Sequence, residues 1–244
     1  MTLNLPLNSR SCCEFQTFPP ISYFYLLTST LRLDIFDPHR HQCGLEINMT
    51  KLRESLTLPH MEQRHPVLMN AIFLWACFVS RPGPLYQHEA HYLSRTLESL
   101  GEALQQPGKV VDIVQASSLL SMYFFSNGRM LEGSYHANAA ASLAVQFGLH
   151  CATSRKNSRC FDPTESFKVE SGDEIEQNER TLAFWQAYNL DSCWSVVLRK
   201  SPIIRDARIT VNSINPLPPP KVDEYEMVII PVERPSILID LFLL

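Results

Sequence analysis

The stretch Phe125–His150, FSNGRMLEGSYHANAAASLAVQFGLH, decides the fold class. Its only charged residues are Arg129 and Glu132; the rest is mostly alanine and small polar side chains. Alanine has the highest helix propensity and costs no side-chain entropy, so Ala137, Ala139, Ala140, Ala141 and Ala144 favour a helix that a neighbour can approach closely. None of them titrates, coordinates a metal or attacks a substrate. Leu131, Tyr135, Ala139, Leu143 and Phe147 recur at every fourth position, which predicts a helix over 129–147 resting on that row. Gly148 is expected to close it in the left-handed conformation. Leu149 then folds back onto the Leu143/Ala144 turn and His150 leaves the helix.

Similar patterns flank this stretch. ISYFYLLTSTLRLDIF, Ile21 to Phe36, reads as an amphipathic helix ended by DPHRHQCG. Pro66 opens a helix that runs apolar on nearly all faces to Val79, where RPGP stops it. Leu85 to Gln105 is more polar and places Tyr92, Leu93, Leu97, Leu100 and Leu104 on one side. After QQPGK, Val110 to Phe125 rests on Ile113, Val114, Leu119, Leu120, Tyr123 and Phe124. Glu174 to Leu198 carries Trp185, Tyr188, Cys193, Trp194, Val196 and Val197, with Trp185 as the expected core anchor. No alternating strand pattern of useful length precedes Ile203. The expected architecture is all-α, an array of antiparallel helical hairpins in a single domain. Residues 1–20 read as a loose lead-in, 151–177 as a polar loop whose Asp173 and Glu176 begin the next helix, and INPLPPPKVDEY as a surface strap.

Composition narrows the function classes. The 244 residues are 45% hydrophobic, enough to bury a core, and the net charge of −4 gives no overall attraction for nucleic acid. The seven cysteines are odd in number, scattered, and not preceded by a secretory leader, as expected of thiols in a reducing compartment. No apolar run approaches the roughly 20 residues that a membrane span needs.

Three motifs invite chemistry. His39, His41 and Cys43 lie within five residues, but no second pair follows at zinc-finger spacing, so HRHQC reads as an exposed loop. His88, Glu89 and His91 resemble a zinc-protease helix, yet the histidines are three apart rather than four. Ser134 in LEGSYH sits inside a helical pattern, not on the tight turn a nucleophilic serine requires. Glu174, Glu176 and Glu179 suit a helix start on dipole grounds alone. Neither a catalytic nor a metal site is expected.

The segments SMYFFSNGRMLEGSYHANAAASLAVQFGLH, ERTLAFWQAYNLDSCWSVVL and INPLP together resemble the fungal-specific transcription factor domain, over residues 21–216. The most specific parts are Gly128, Gly133, the alanine run to Gly148-Leu149-His150, Glu179-Arg180 before Phe184-Trp185, and Asp191 with Ser195. The family-motif positions Gly128, Gly133, Gly148, His150, Arg180, Trp185 and Asp191 are structural in this reading. Arg180 and Asp191, three helical turns apart, share a face from which each can anchor a neighbouring helix.

The resemblance implies a nuclear regulatory module that lies downstream of a six-cysteine zinc cluster in a transcription factor. It implies protein partners in the transcription machinery or a small-molecule effector, with a homodimer as one permitted assembly. Zinc and DNA would be held by a part missing here, and no cofactor is expected in this chain. The sequence departs from the family where Arg199 and Ser201 replace the usual Gly and Pro, and where SILIDLFLL ends a segment, 217–244, that reads as incomplete. The alternative is a stand-alone helical module that binds a small molecule or protein, its cavity lined by His136, Asn138, Ser142 and Gln146.

Overall fold

A computed structural model describes residues 21–59, 62–150 and 174–206, and it is all-α over them. The lead-in at 1–20, the segment 151–173 with Asp173, and the strap and C-terminal residues at 207–244 lie outside the described residues. The helices are α1 (Ile21–Phe36), α2 (Met49–Ser55), α3 (Pro66–Val79), α4 (Glu89–Ala103), α5 (Val110–Ser126), α6 (Met130–Gln146), α7 (Glu174–Val197) and α8 (Ile203–Asp206). Short 3-10 turns at Asp37–Cys43, Pro84–His88 and Pro107–Lys109 link several of them.

Apolar sequence makes α3 a core element. Eleven of its residues, from Val67 to Phe78, are buried, and α1, α4 and α5 pack around it. His65 caps its start by accepting from the Val67 N–H at 3.2 Å, ahead of Pro66, which has no N–H to satisfy. Trp75 Nε1 donates to the Leu119 carbonyl at 3.0 Å and so ties α3 to α5.

Helix α5 is the hub. It is buried almost throughout from Val110 to Phe125, including the polar Asp112, Gln115, Ser117, Ser118 and Ser121, and it touches α3, α6 and α7. The six apolar residues on which it was expected to rest are all buried, and enclosure by three neighbours buries the polar side as well. Helix α2 has no strong period in the sequence. The Asn48 side chain caps it by accepting from Lys51 N at 3.0 Å, and Met49 and Leu52 seat it on the core.

Three expected faces hold only in part: Tyr92, Leu93, Leu100, Leu143 and Phe147 do pack against the core, and other residues of the same rows do not. On α4, Leu97 and Leu104 are exposed while Glu89, Thr96, Ser99 and Ala103 face inward. On α6, Leu131 is 85% exposed and Tyr135 68%, and the buried face is Gly133, His136, Ala137, Ala140, Ala141 and Ala144. Small side chains win because close backbone approach to α5 leaves no room for large ones. On α7, Cys193, Val196 and Val197 are exposed and Trp185 is half-buried. Trp194 is buried as expected and stacks on Phe125 at 3.7 Å between ring centroids, and Phe184 and Leu190 carry the packing with it.

Candidate functional site

The family-motif residues occupy the joints of the α5/α6/α7 corner. Gly128 (φ +72°) ends α5 and Gly148 (φ +60°) ends α6. A Cβ on either glycine would meet nothing within 4 Å, so it is the left-handed backbone and not crowding that favours glycine there. At Gly148 two bonds satisfy the last carbonyls, Gly148 N to Val145 O and Leu149 N to Ala144 O, both 3.0 Å, with Leu149 fully buried beneath them. Gly133 has the opposite requirement. A Cβ there would lie 2.5 Å from Cδ1 of Phe125, and the Ser121 hydroxyl donates to the Gly133 carbonyl at 2.8 Å, so the two helices nearly touch.

Arg180 Nη2 donates to the Phe147 carbonyl at 3.3 Å, at the C-terminal end of α6. Lys200, just past α7, donates to Ser134 Oγ at 2.6 Å and Asn138 Oδ1 at 2.9 Å, near the N-terminal end of α6. The two ties make α6 and α7 antiparallel. Asp191 is buried and accepts from the Ile204 N–H at 2.9 Å, which holds α8. His150 is buried, its ring 5.7 Å from Phe184, and burial lowers its pKa. Trp185 makes edge contacts with Phe184 and Tyr188 at the rim. These residues are spread along the α6/α7 pair and do not converge on one cavity.

The polar residues of α6 also separate. His136 is buried and stacks on Phe124 at 5.4 Å; burial pushes its pKa from 6.5 down to about 4, against an opposing pull from Glu132. Asn138 is held by Lys200, Ser142 is half-buried and Gln146 is exposed.

The candidate metal motifs come apart in the same way. Cys43 points into the core, where burial raises its pKa to about 12, while His41 pairs with Glu46 at 2.5 Å and His39 contacts Gln42 at 3.3 Å. HRHQC is thus a 3-10 turn rather than a loop. His88 and His91 are exposed, and Glu89 turns inward to Arg81 and to the Tyr123 hydroxyl at 2.6 Å. Among the described residues no three metal-ligating side chains converge.

A second polar centre has no counterpart in the sequence reading. Arg64 bridges Asp112 on α5, at 3.0 Å, and Glu179 on α7, while the other Asp112 oxygen accepts from the His65 N–H at 2.8 Å. Burial alone disfavours the Arg64 charge, but the two carboxylates outweigh it and raise the pKa. Beside the bridge is a cleft of about 240 Å³ lined by Glu62, Gln63, Lys109 and the bridging residues. None of the four polar α6 residues reaches it. A charge inside the apolar run VVDIVQ is the one sequence signal for Asp112, because a buried carboxylate requires a partner.

A comparison of the whole sequence with family models matches the fungal specific transcription factor domain over residues 39–235, which is most of the chain. The chain belongs to the fungal specific transcription factor domain family. No curated protein and no solved structure matches it. In this family member the glycines at 128 and 148 end helices and Gly133 brings two helices together. Arg199 adopts a left-handed conformation in the turn after α7, at φ 52°. Among the described residues no helix is long and apolar enough to cross a membrane.

Proposed function

We propose that this chain is the regulatory part of a fungal transcription factor, acting in the nucleus on RNA polymerase II transcription and not as an enzyme. The family match over residues 39–235 carries this reading. The polar clusters give it physical support. Arg64 with Asp112 and Glu179, and Arg81 with Glu89 and Tyr123, are closed sets that join helices, with no nucleophile or open coordination position among them. DNA contact falls to a zinc-cluster unit that these 244 residues do not contain, since no Cys-x2-Cys-x6-Cys pattern occurs in them and the net charge is −4. Proteins of the transcription machinery or a small-molecule effector are its partners, a homodimer is one permitted assembly, and the chain itself needs no cofactor.

The test is to fuse the chain to an unrelated DNA-binding domain in a fungal reporter strain. Altered transcription from the fusion, with no sequence-specific DNA binding by the chain alone, is expected. Trp194→Ala supplies the unfolded control, since it removes the ring on Phe125 and costs about 3–5 kcal/mol. Silence from a folded, well-expressed fusion across several nutrients counts for the stand-alone binding module instead.

A further inference from the structure

Ser201 is exposed, lies outside regular structure between α7 and α8, and is followed by Pro202. Of the seventeen prolines in the sequence, Pro202 is the only one preceded by serine or threonine. Its ring holds the preceding residue extended, which presents the Ser201 hydroxyl outward on a short span between two helices. On the other side, Arg199 is exposed in a left-handed turn and Lys200 reaches back to α6. Lys200 is a half-buried ammonium whose partners, Ser134 Oγ and Asn138 Oδ1, are both neutral. It meets no carboxylate among the described residues.

We propose that Ser201 is a phosphorylation site for a proline-directed protein kinase, and that Lys200 converts the modification into a change at the α6/α7 joint. In the transfer, the bond between the γ-phosphorus of ATP and its bridging oxygen breaks, a bond from Ser201 Oγ to that phosphorus forms, ADP leaves, and the hydroxyl proton passes to the kinase base. The new phosphate carries about −1.5 to −2 charges next to two cations. The phosphate adds charge–charge attraction that the neutral Ser134 hydroxyl and Asn138 amide do not offer an ammonium, so Lys200 turns from them to the phosphate. The α7 end of that tie then lets go of the first two turns of α6. Asp191, which holds the Ile204 N–H three residues beyond Ser201, adds like-charge repulsion on the α8 side. The proposal concerns a modification and its local readout, and stands apart from the transcriptional reading.

The experiment treats the full chain with a mitogen-activated type serine kinase and Mg-ATP. Intact mass and peptide mapping should show one phosphate at Ser201, absent in Ser201→Ala. Hydrogen exchange should then quicken about fivefold at the α6 amides around 131–138, the size of one or two lost side-chain hydrogen bonds. Lys200→Met should show that faster exchange before treatment and gain nothing further from phosphorylation. The site is refuted if the folded chain takes up no phosphate at Ser201. The Lys200 device is refuted if phosphorylated chain exchanges as before at α6, or if phosphorylation quickens Lys200→Met as much as the unmutated chain.

Discussion

Helix α5 is held on one side by the seam with α6 and at its N-terminal end by the clamp around Arg64, and the two work by opposite means. The seam uses absence of bulk: Gly133 and the alanines of α6 let the backbones close until a single added methyl would strike Phe125. The partners at its close end, Phe125 and Ser121 against Gly133, lie eight and twelve residues apart across the turn that joins the helices. The clamp uses charge: Arg64 reaches 48 residues along the chain to Asp112 and 115 to Glu179. Dispersion over many small contacts holds the seam and changes little with salt. The clamp depends on each member, because removing one charge from a buried pair strands the other. Tight packing joins neighbours along the chain, whereas a buried ion bridge joins segments that no local pattern connects.

The largest expected effect is at the clamp. Asp112→Ala removes the acceptor for both Arg64 and the His65 N–H and should cost about 3–5 kcal/mol in urea unfolding, toward the lower end because Glu179 remains. A loss below 1 kcal/mol would make the clamp an ornament of the surface and leave the seam as the main support of α5.

Next is acid sensitivity within the seam, from His136. Its folded pKa of about 4 is below the unfolded value near 6.5, so the unfolded chain binds the extra proton first. The favourable contribution is full above pH 6.5 and is lost as pH falls toward 4, by about 3 kcal/mol at most. His136→Phe should flatten that part of the stability profile between pH 6.5 and 4. An unchanged slope would show that His136 is not the group responsible.

Gly133→Ala sets two effects against each other. Alanine gains about 1 kcal/mol in helix propensity, while overpacking Phe125, itself backed by Trp194, costs about 1–3 kcal/mol. A net loss of up to about 2 kcal/mol is expected by thermal unfolding. Stabilisation instead would mean that the seam yields and that its closeness is not what holds it.

The smallest effect lies outside both regions. Arg199 is left-handed without being glycine, so Arg199→Gly should raise stability by about 0.5–1 kcal/mol, less the extra freedom glycine has in the unfolded chain. A lower denaturation midpoint would show that the arginine side chain matters more to the turn than its backbone strain.

Local pattern carried the helices. Propensity, proline and glycine placement, and period marked α1, α3, α5, α6 and α7 to within a few residues, and Gly148 showed its left-handed stop, because these depend on neighbours within about four positions. The sequence also carried the family, through the Gly-Ala-Gly-Leu-His run. It carried which face of a helix is buried only in part: the α5 row from Ile113 to Phe124 is enclosed as expected, but other rows are not. Leu131, Leu97 and Val197 looked like core residues and are exposed, while Gly133, Thr96 and Ala141 are enclosed, because burial depends on how near the next helix comes and not on one side chain's hydrophobicity. Nor did it pair Arg64 with Asp112 and Glu179 or Lys200 with Asn138: those partners meet only after the chain has folded, and charge by itself has no direction along the sequence.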